Sequence, residues 1–153
     1  SERAAIEMPT PRLLRGVFKL KAAGRRWEVS HWHTGVPHAV VLVKDAQKAP
    51  VLEAGRALRR HRAFGKDGAN VNFVERRGRT LVVRTYERGV EDETLACGSG
   101  VVASAAAAQA FGWTRLPVRV AVRGGRTLTV SREAGHTWLE GPAEIVYTGE
   151  IQL

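Results

Sequence analysis

One cysteine stands in this chain of 153 residues, so no internal disulfide can form, and no Cys-x-x-Cys pair exists to hold zinc. Long apolar runs are also missing: none approaches the roughly 20 residues that span a bilayer. The opening SERAAIEMPTPR lacks the apolar core of a secretory signal. A cytoplasmic location and no membrane partner are therefore expected. Acidic charge is scarce, 15 Asp and Glu against 24 Lys and Arg, leaving +9. Such an excess raises nucleic acid as a partner, because clustered cations bind phosphate. Here the cations are dispersed in pairs (Arg25-Arg26, Arg59-Arg60, Arg76-Arg77), and the one dense run, Arg56 to Arg62, falls on an expected amphipathic helix. A solvated helix face is the simpler account, so no nucleic acid is expected.

What is present is an ordinary soluble composition, 44% hydrophobic and 25% charged, in a length that suits one domain over residues 1–153. Leu14 to Lys21 and Arg26 to His33 alternate apolar and polar residues around Ala22-Ala23-Gly24, the pattern of a β-hairpin. His38 to Val43 reads as a more buried strand, and Ala49 to Ala63 as an amphipathic helix lying on a sheet. Asn70 to Glu75 and Thr80 to Glu87 form a second hairpin about Arg77-Gly78-Arg79. After an acidic loop comes a small-residue helix starting near Gly98 and running to Ala110. Strands follow at Val118 to Val122, Thr127 to Ser131, Thr137 to Glu140 and Ile145 to Ile151. The second helix is apolar nearly all round, so it must be enclosed. The expected fold is α+β: a mixed, mostly antiparallel curved sheet wrapped around a central buried helix.

Chemistry concentrates at Cys97, in YERGVEDETLACGSGVVASAAAA. Gly98, Ser99 and Gly100 offer unobstructed N–H groups at a helix start, where unpaired donors and the dipole favour a carboxylate and lower the pKa of a nearby thiol. A lone cysteine is more often a small buried hydrophobe, but the flanking glycines and charges weigh toward reactivity. Glu87 and Arg88 end a strand just before it, where a surface ion pair is the plain alternative. His38 begins a buried strand, a place usually held by a satisfied core histidine. Asn70, with Asn72 on the same strand face, would otherwise serve turn or edge hydrogen bonding. His31-x-His33 puts two imidazoles on one side of a strand, but no third ligand is evident, so no metal is expected.

YERGVEDETLACGSG resembles the second-cysteine motif of the diaminopimelate epimerases, which are cofactor-independent amino acid epimerases of lysine and cell-wall biosynthesis. TGVPHAV (Thr34 to Val40) resembles that family's histidine motif, GANVNFVE (Gly68 to Glu75) its asparagine motif, and EGPAEIVYTGE (Glu140 to Glu150) its closing strand. The resemblance implies the same α+β architecture, no cofactor, and an amino acid substrate. It implies Cys97 as one of two acid–base cysteines, with Glu87 beside it and His38 in support of acid–base chemistry near the opposite cysteine. Asn70, Glu87, Arg88, Gly98 and Ser99 would bind substrate, Asn70 at its distal amino acid end.

Val36 stands where many members carry asparagine. The family is built of two similar halves with one cysteine in each, and this chain resembles only the second. A missing N-terminal half, or an equivalent chain, is the expected partner, with a homodimer as the alternative. The start at Ser1 suggests an excised domain or a processed product, and the chain alone is expected to be inactive. Two other functions remain in view: another racemase or isomerase of the same fold, and a non-enzymatic basic binding module.

Overall fold

A computed structural model describes residues 2–153. Three strands open the chain: β1 (Glu2–Met8), β2 (Arg12–Ala22) and β3 (Arg25–His33). The alternation of β2 and β3 yields the expected antiparallel hairpin, turned by Ala23 and Gly24 at φ of 48° and 71°. Next come β4 (Pro37–Val43), the helix α1 (Val51–Arg59), the hairpin β5 (Asn70–Arg77) and β6 (Thr80–Glu87), a short β7 (Asp92–Thr94), and α2 (Gly98–Ala110). The chain then adds β8 (Val118–Val122), β9 (Thr127–Glu133) and β10 (His136–Ala143).

All ten strands join one sheet in the order β1-β10-β9-β8-β6-β5-β4-β3-β2, with β7 paired to β6. Neighbours are antiparallel except β4 with β5 and β6 with β8. Those two parallel pairs need crossovers, and α1 and α2 supply them. The architecture is α+β, with a mixed, mostly antiparallel sheet and two helices. β1 and β2, at opposite ends of the strand order, are separated in sequence only by Pro9, Thr10 and Pro11.

Strand periodicity divides the core between the helices. Val40, Val74, Leu81 and Val83 face α2, whereas Ala39, Val41, Val71, Phe73 and Tyr86 face α1. Of α2, Gly100 to Ala105, Ala107 and Ala108 are all buried, and the helix meets β3, β4, β5, β6, β8 and β9. That burial matches a sequence that is apolar nearly all round.

Two expected elements differ. The first helix ends at Arg59 rather than Ala63, because Gly65 and Gly68, at φ of 78° and 67°, turn the chain back so that Ala69 N–H bonds the Arg59 carbonyl at 3.1 Å. A 3-10 turn, Arg62–Phe64, fills the interval, capped by the His61 side chain. The strand expected over Ile145 to Ile151 does not form: 144–153 is irregular, and Ile145, Val146, Tyr147 and Ile151 lie exposed. The free edge of β10 that such a strand would join is already taken by β1, paired residue by residue from Met8 against Thr137 to Glu2 against Ala143.

Candidate active site

The α2 N-terminus meets the sheet where β4, β5 and β6 begin or end. Because Val40, Val74 and Val83 face α2, the two-residue period carries His38, Asn70, Asn72, Thr85 and Glu87 onto the same face. Register aligns them: His38 lies beside Asn70, and Asn72 beside Thr85. Cys97 is the residue preceding the first turn of α2, extended at φ −135° and ψ 106°, and its carbonyl accepts the first helical bond from Val101 at 2.9 Å. The sequence therefore positions a thiol at the helix entrance with the first-turn amides beside it.

A hydrogen-bonded chain runs from that thiol into the sheet. Cys97 Sγ is 3.5 Å from Ser99 Oγ, which is 3.0 Å from His38 Nε2. On the far side of the ring, His38 Nδ1 is 3.0 Å from Asn72 Nδ2. Asn72 Nδ2 also donates to the Ala39 carbonyl at 3.2 Å, and Asn72 Oδ1 accepts from Thr85 Oγ1 at 2.8 Å. Thr34 Oγ1 donates to the Ser99 carbonyl at 2.9 Å and so holds the first turn against β4. His38 and Asn72 are wholly buried.

Burial pushes the His38 pKa down to about 3, helped by the positive Arg88 and by His33 and His31, so the ring is neutral at physiological pH. The thiol departs from the sequence expectation. Burial, with Glu87 adding to it, raises Cys97 above its ordinary value, while the Ser99 hydroxyl and the Ser99 and Gly100 amides pull the other way. The helix start does favour the thiolate, but desolvation outweighs it.

Asn70 clips two elements together. Its Nδ2 donates to the Pro37 carbonyl at 3.2 Å, and its Oδ1 accepts from the Arg88 N–H at 2.8 Å. Among the described residues, the second Nδ2 hydrogen has no partner. Glu87 and Arg88 are half-buried, and among the described residues they make no ion pair with each other or any neighbour. The surface ion-pair alternative is thus not what the strand end holds. Of the acidic residues that follow, Glu91 pairs with Arg59, and Glu93 on β7 with Arg84 and Arg123.

Gly98 and Ser99 occupy the first positions of α2, as expected. His31 packs edge-on to Phe64 at 5.0 Å, and the described residues contain no group of three metal-ligating side chains. No helix is long and apolar enough to cross a membrane. A cavity of about 380 Å³, lined by Leu13, Val17, Trp32, Phe111 and Trp113, lies at the other end of α2 and holds none of the candidate residues. Sequence reasoning missed Thr34 and Thr85 and the bridging use of the Ser99 hydroxyl. Thr85 was findable, since it stands opposite Asn72 once the β5–β6 hairpin register is drawn.

The fold recurs in solved structures of low identity. A probable proline racemase from Agrobacterium radiobacter superposes with a TM-score of 0.70 at 17% identity, over 92% of this chain and 50% of that one. A hydroxyproline epimerase from Agrobacterium vitis does so with a TM-score of 0.64 at 17% identity, over 91% and 50%. Sequence comparison is more specific, since the family model described as diaminopimelate epimerase matches residues 31–153. A diaminopimelate epimerase from Methanocella arvoryzae is 47% identical over 127 residues, 83% of this chain and 45% of the relative. One from Methanothrix thermoacetophila is 43% identical over 156 residues, 97% and 54%. The chain belongs to the diaminopimelate epimerase family, and it spans about half the length of the curated relatives it matches.

Proposed function

We propose that this chain is the second half of a cofactor-independent epimerase that interconverts LL- and meso-diaminopimelate, a step of lysine and peptidoglycan biosynthesis. The observation that carries the reading is the placement of Cys97 beside the first-turn amides of Gly98, Ser99 and Gly100, at the mouth of a buried helix, in a member of this family. Inverting an α-carbon without a cofactor requires one group to take the proton on one face and another to return it on the opposite face. Cys97 serves one face. The first-turn amides hold the α-carboxylate and stabilise the charge that develops on it as the proton leaves. Arg88 offers a fork for a carboxylate, Glu87 a partner for an ammonium group, and the spare Asn70 hydrogen a contact for the distal amino acid end.

The opposite base comes from a second half, or from a second copy of this chain. The single domain over residues 1–153, with its sheet curled around α2, is part of the same reading. The three-residue link between the two ends of the strand order supports that curl. A cytoplasmic location belongs to it too, since a working free thiol needs reducing surroundings. Val36, where many members carry asparagine, supports a second reading within the same chemistry, an epimerase for a related amino acid.

The purified chain alone, incubated in D2O with LL-diaminopimelate and followed by proton NMR, is expected to show no steady epimerisation, because one face of the substrate lacks its base and the site is open to water. Steady turnover by a monomer of this chain would overturn the two-half reading.

A further inference from the structure

We propose that Asn72 is a positioning residue that fixes the His38 tautomer and thereby orients a one-way chain of donors, His38 to Ser99 to Cys97, ending on the sulfur. The inference rests on the reading of Cys97 as an acid–base group, but its geometry stands without a substrate.

The direction of the chain follows from the groups at its inner end. A carbonyl oxygen only accepts, so the contact with Ala39 O identifies the nitrogen of the Asn72 amide, and the bond from Thr85 Oγ1 suits its oxygen. Nδ2 has two hydrogens: one goes to Ala39 O and the other to His38 Nδ1. His38 Nδ1 must therefore be the bare, accepting nitrogen, and the single ring proton sits on Nε2. That proton is donated to Ser99 Oγ at 3.0 Å. The Ser99 hydroxyl keeps a hydrogen of its own, and when Cys97 is the thiolate, which can only accept, that hydrogen goes to Sγ at 3.5 Å.

This arrangement separates two roles that a cysteine–histidine pair often combines. His38 cannot take the thiol proton: Nε2 already carries one, and a proton on Nδ1 would face the Asn72 donor. The ring's burial and the charge of Arg88 reinforce that block. His38 is a relay donor that favours the thiolate, and a proton taken up by Cys97 stays on the sulfur until it is delivered to the substrate carbanion. Gly100 fits the same scheme, because a Cβ there would overlap Asn72 Oδ1 and crowd Cys97 Sγ at 3.3 Å.

The test uses the substrate-free chain, so its outcome is independent of whether diaminopimelate is the substrate. Nitrogen-15 NMR of the imidazoles near neutral pH should show His38 with Nδ1 bare and Nε2 protonated. The rate of Cys97 alkylation against pH should show one inflection, that of the thiol, and none from His38 between about pH 5 and 8. The titratable and charged groups facing the pair are Arg88, His33 and His31 around His38, and Glu87 beside Cys97.

Ser99→Ala should slow alkylation at fixed pH by about tenfold, the scale of one hydrogen bond to a charged group, while leaving the His38 tautomer unchanged. Asn72→Asp should put a proton on Nδ1 and bring a His38 inflection into the profile. A parent protein with Nδ1 protonated would overturn the proposal even if neither variant folds. Alkylation of Ser99→Ala at the parental rate would overturn its thiol end.

Discussion

On the proposed function, Cys97→Ala is expected to lower α-proton exchange by roughly 10²- to 10⁴-fold once this chain is joined to its second half, the range lost with a positioned acid–base group. The loss is this large because nothing near the sulfur can replace it. His38 is neutral but already a donor, Glu87 is half-buried, and the Ser99 hydroxyl is far too weak an acid to ionise at working pH. Cys97→Ser should be nearly as impaired, since the amides of the first turn cannot bring a hydroxyl into the pKa range where proton transfer is efficient. Deuterium incorporation at the α-carbon measures both. Exchange within a factor of ten of the parent would remove Cys97 from the role assigned to it.

The second large effect is on folding. Glycine to alanine inside a helix ordinarily gains about 1 kcal/mol. At Gly100 the sign reverses, because the added methyl meets Asn72 Oδ1, and Asn72 is buried and held by Thr85, His38 and Ala39. Forcing such a group aside costs about 1–3 kcal/mol beyond the helical gain. A thermal melt of Gly100→Ala should therefore fall by roughly 2–12 °C for a domain of this size. The same variant should lose part of its thiol reactivity, since Asn72 can no longer hold His38. A melting temperature equal to or above the parent would show that the α2 entrance is looser than the contacts require.

Much of the fold was legible, and the reasons are local. The Ala23-Gly24 turn sits between alternating runs, so the first hairpin follows from period two and turn chemistry, and the second follows from the Gly78-Arg79 turn between two mostly buried runs. The all-apolar α2 announces its own burial. What was not legible depends on edges. β1 has almost wholly exposed residues, so ERAAIEM carries no buried face to signal a strand, and its pairing with β10 is decided by where the chain returns. Ile145 to Ile151 shows the opposite failure, a strand-like pattern beside a β10 edge that β1 already occupies.

In the site, residue types and helix entrance were readable, and Cys97, Glu87, His38, Asn70, Arg88, Gly98 and Ser99 do converge on one end of α2. The pKa of the thiol was not readable, because desolvation depends on packing that no local sequence encodes. Nor was the order of donors, which needs the partner of every amide atom.

The proposed function requires the α2 entrance to bind the amino acid substrate. Proton–nitrogen correlation spectra of the labelled chain, titrated with LL-diaminopimelate and separately with an uncharged amide analogue, put that binding to the test. Shifts are expected to concentrate at Gly98, Ser99 and Gly100, with smaller ones at Asn70, Glu87 and Arg88, and none from the analogue that lacks carboxylates. Shifts that avoid the first turn of α2, or that the amide analogue reproduces, would contradict it.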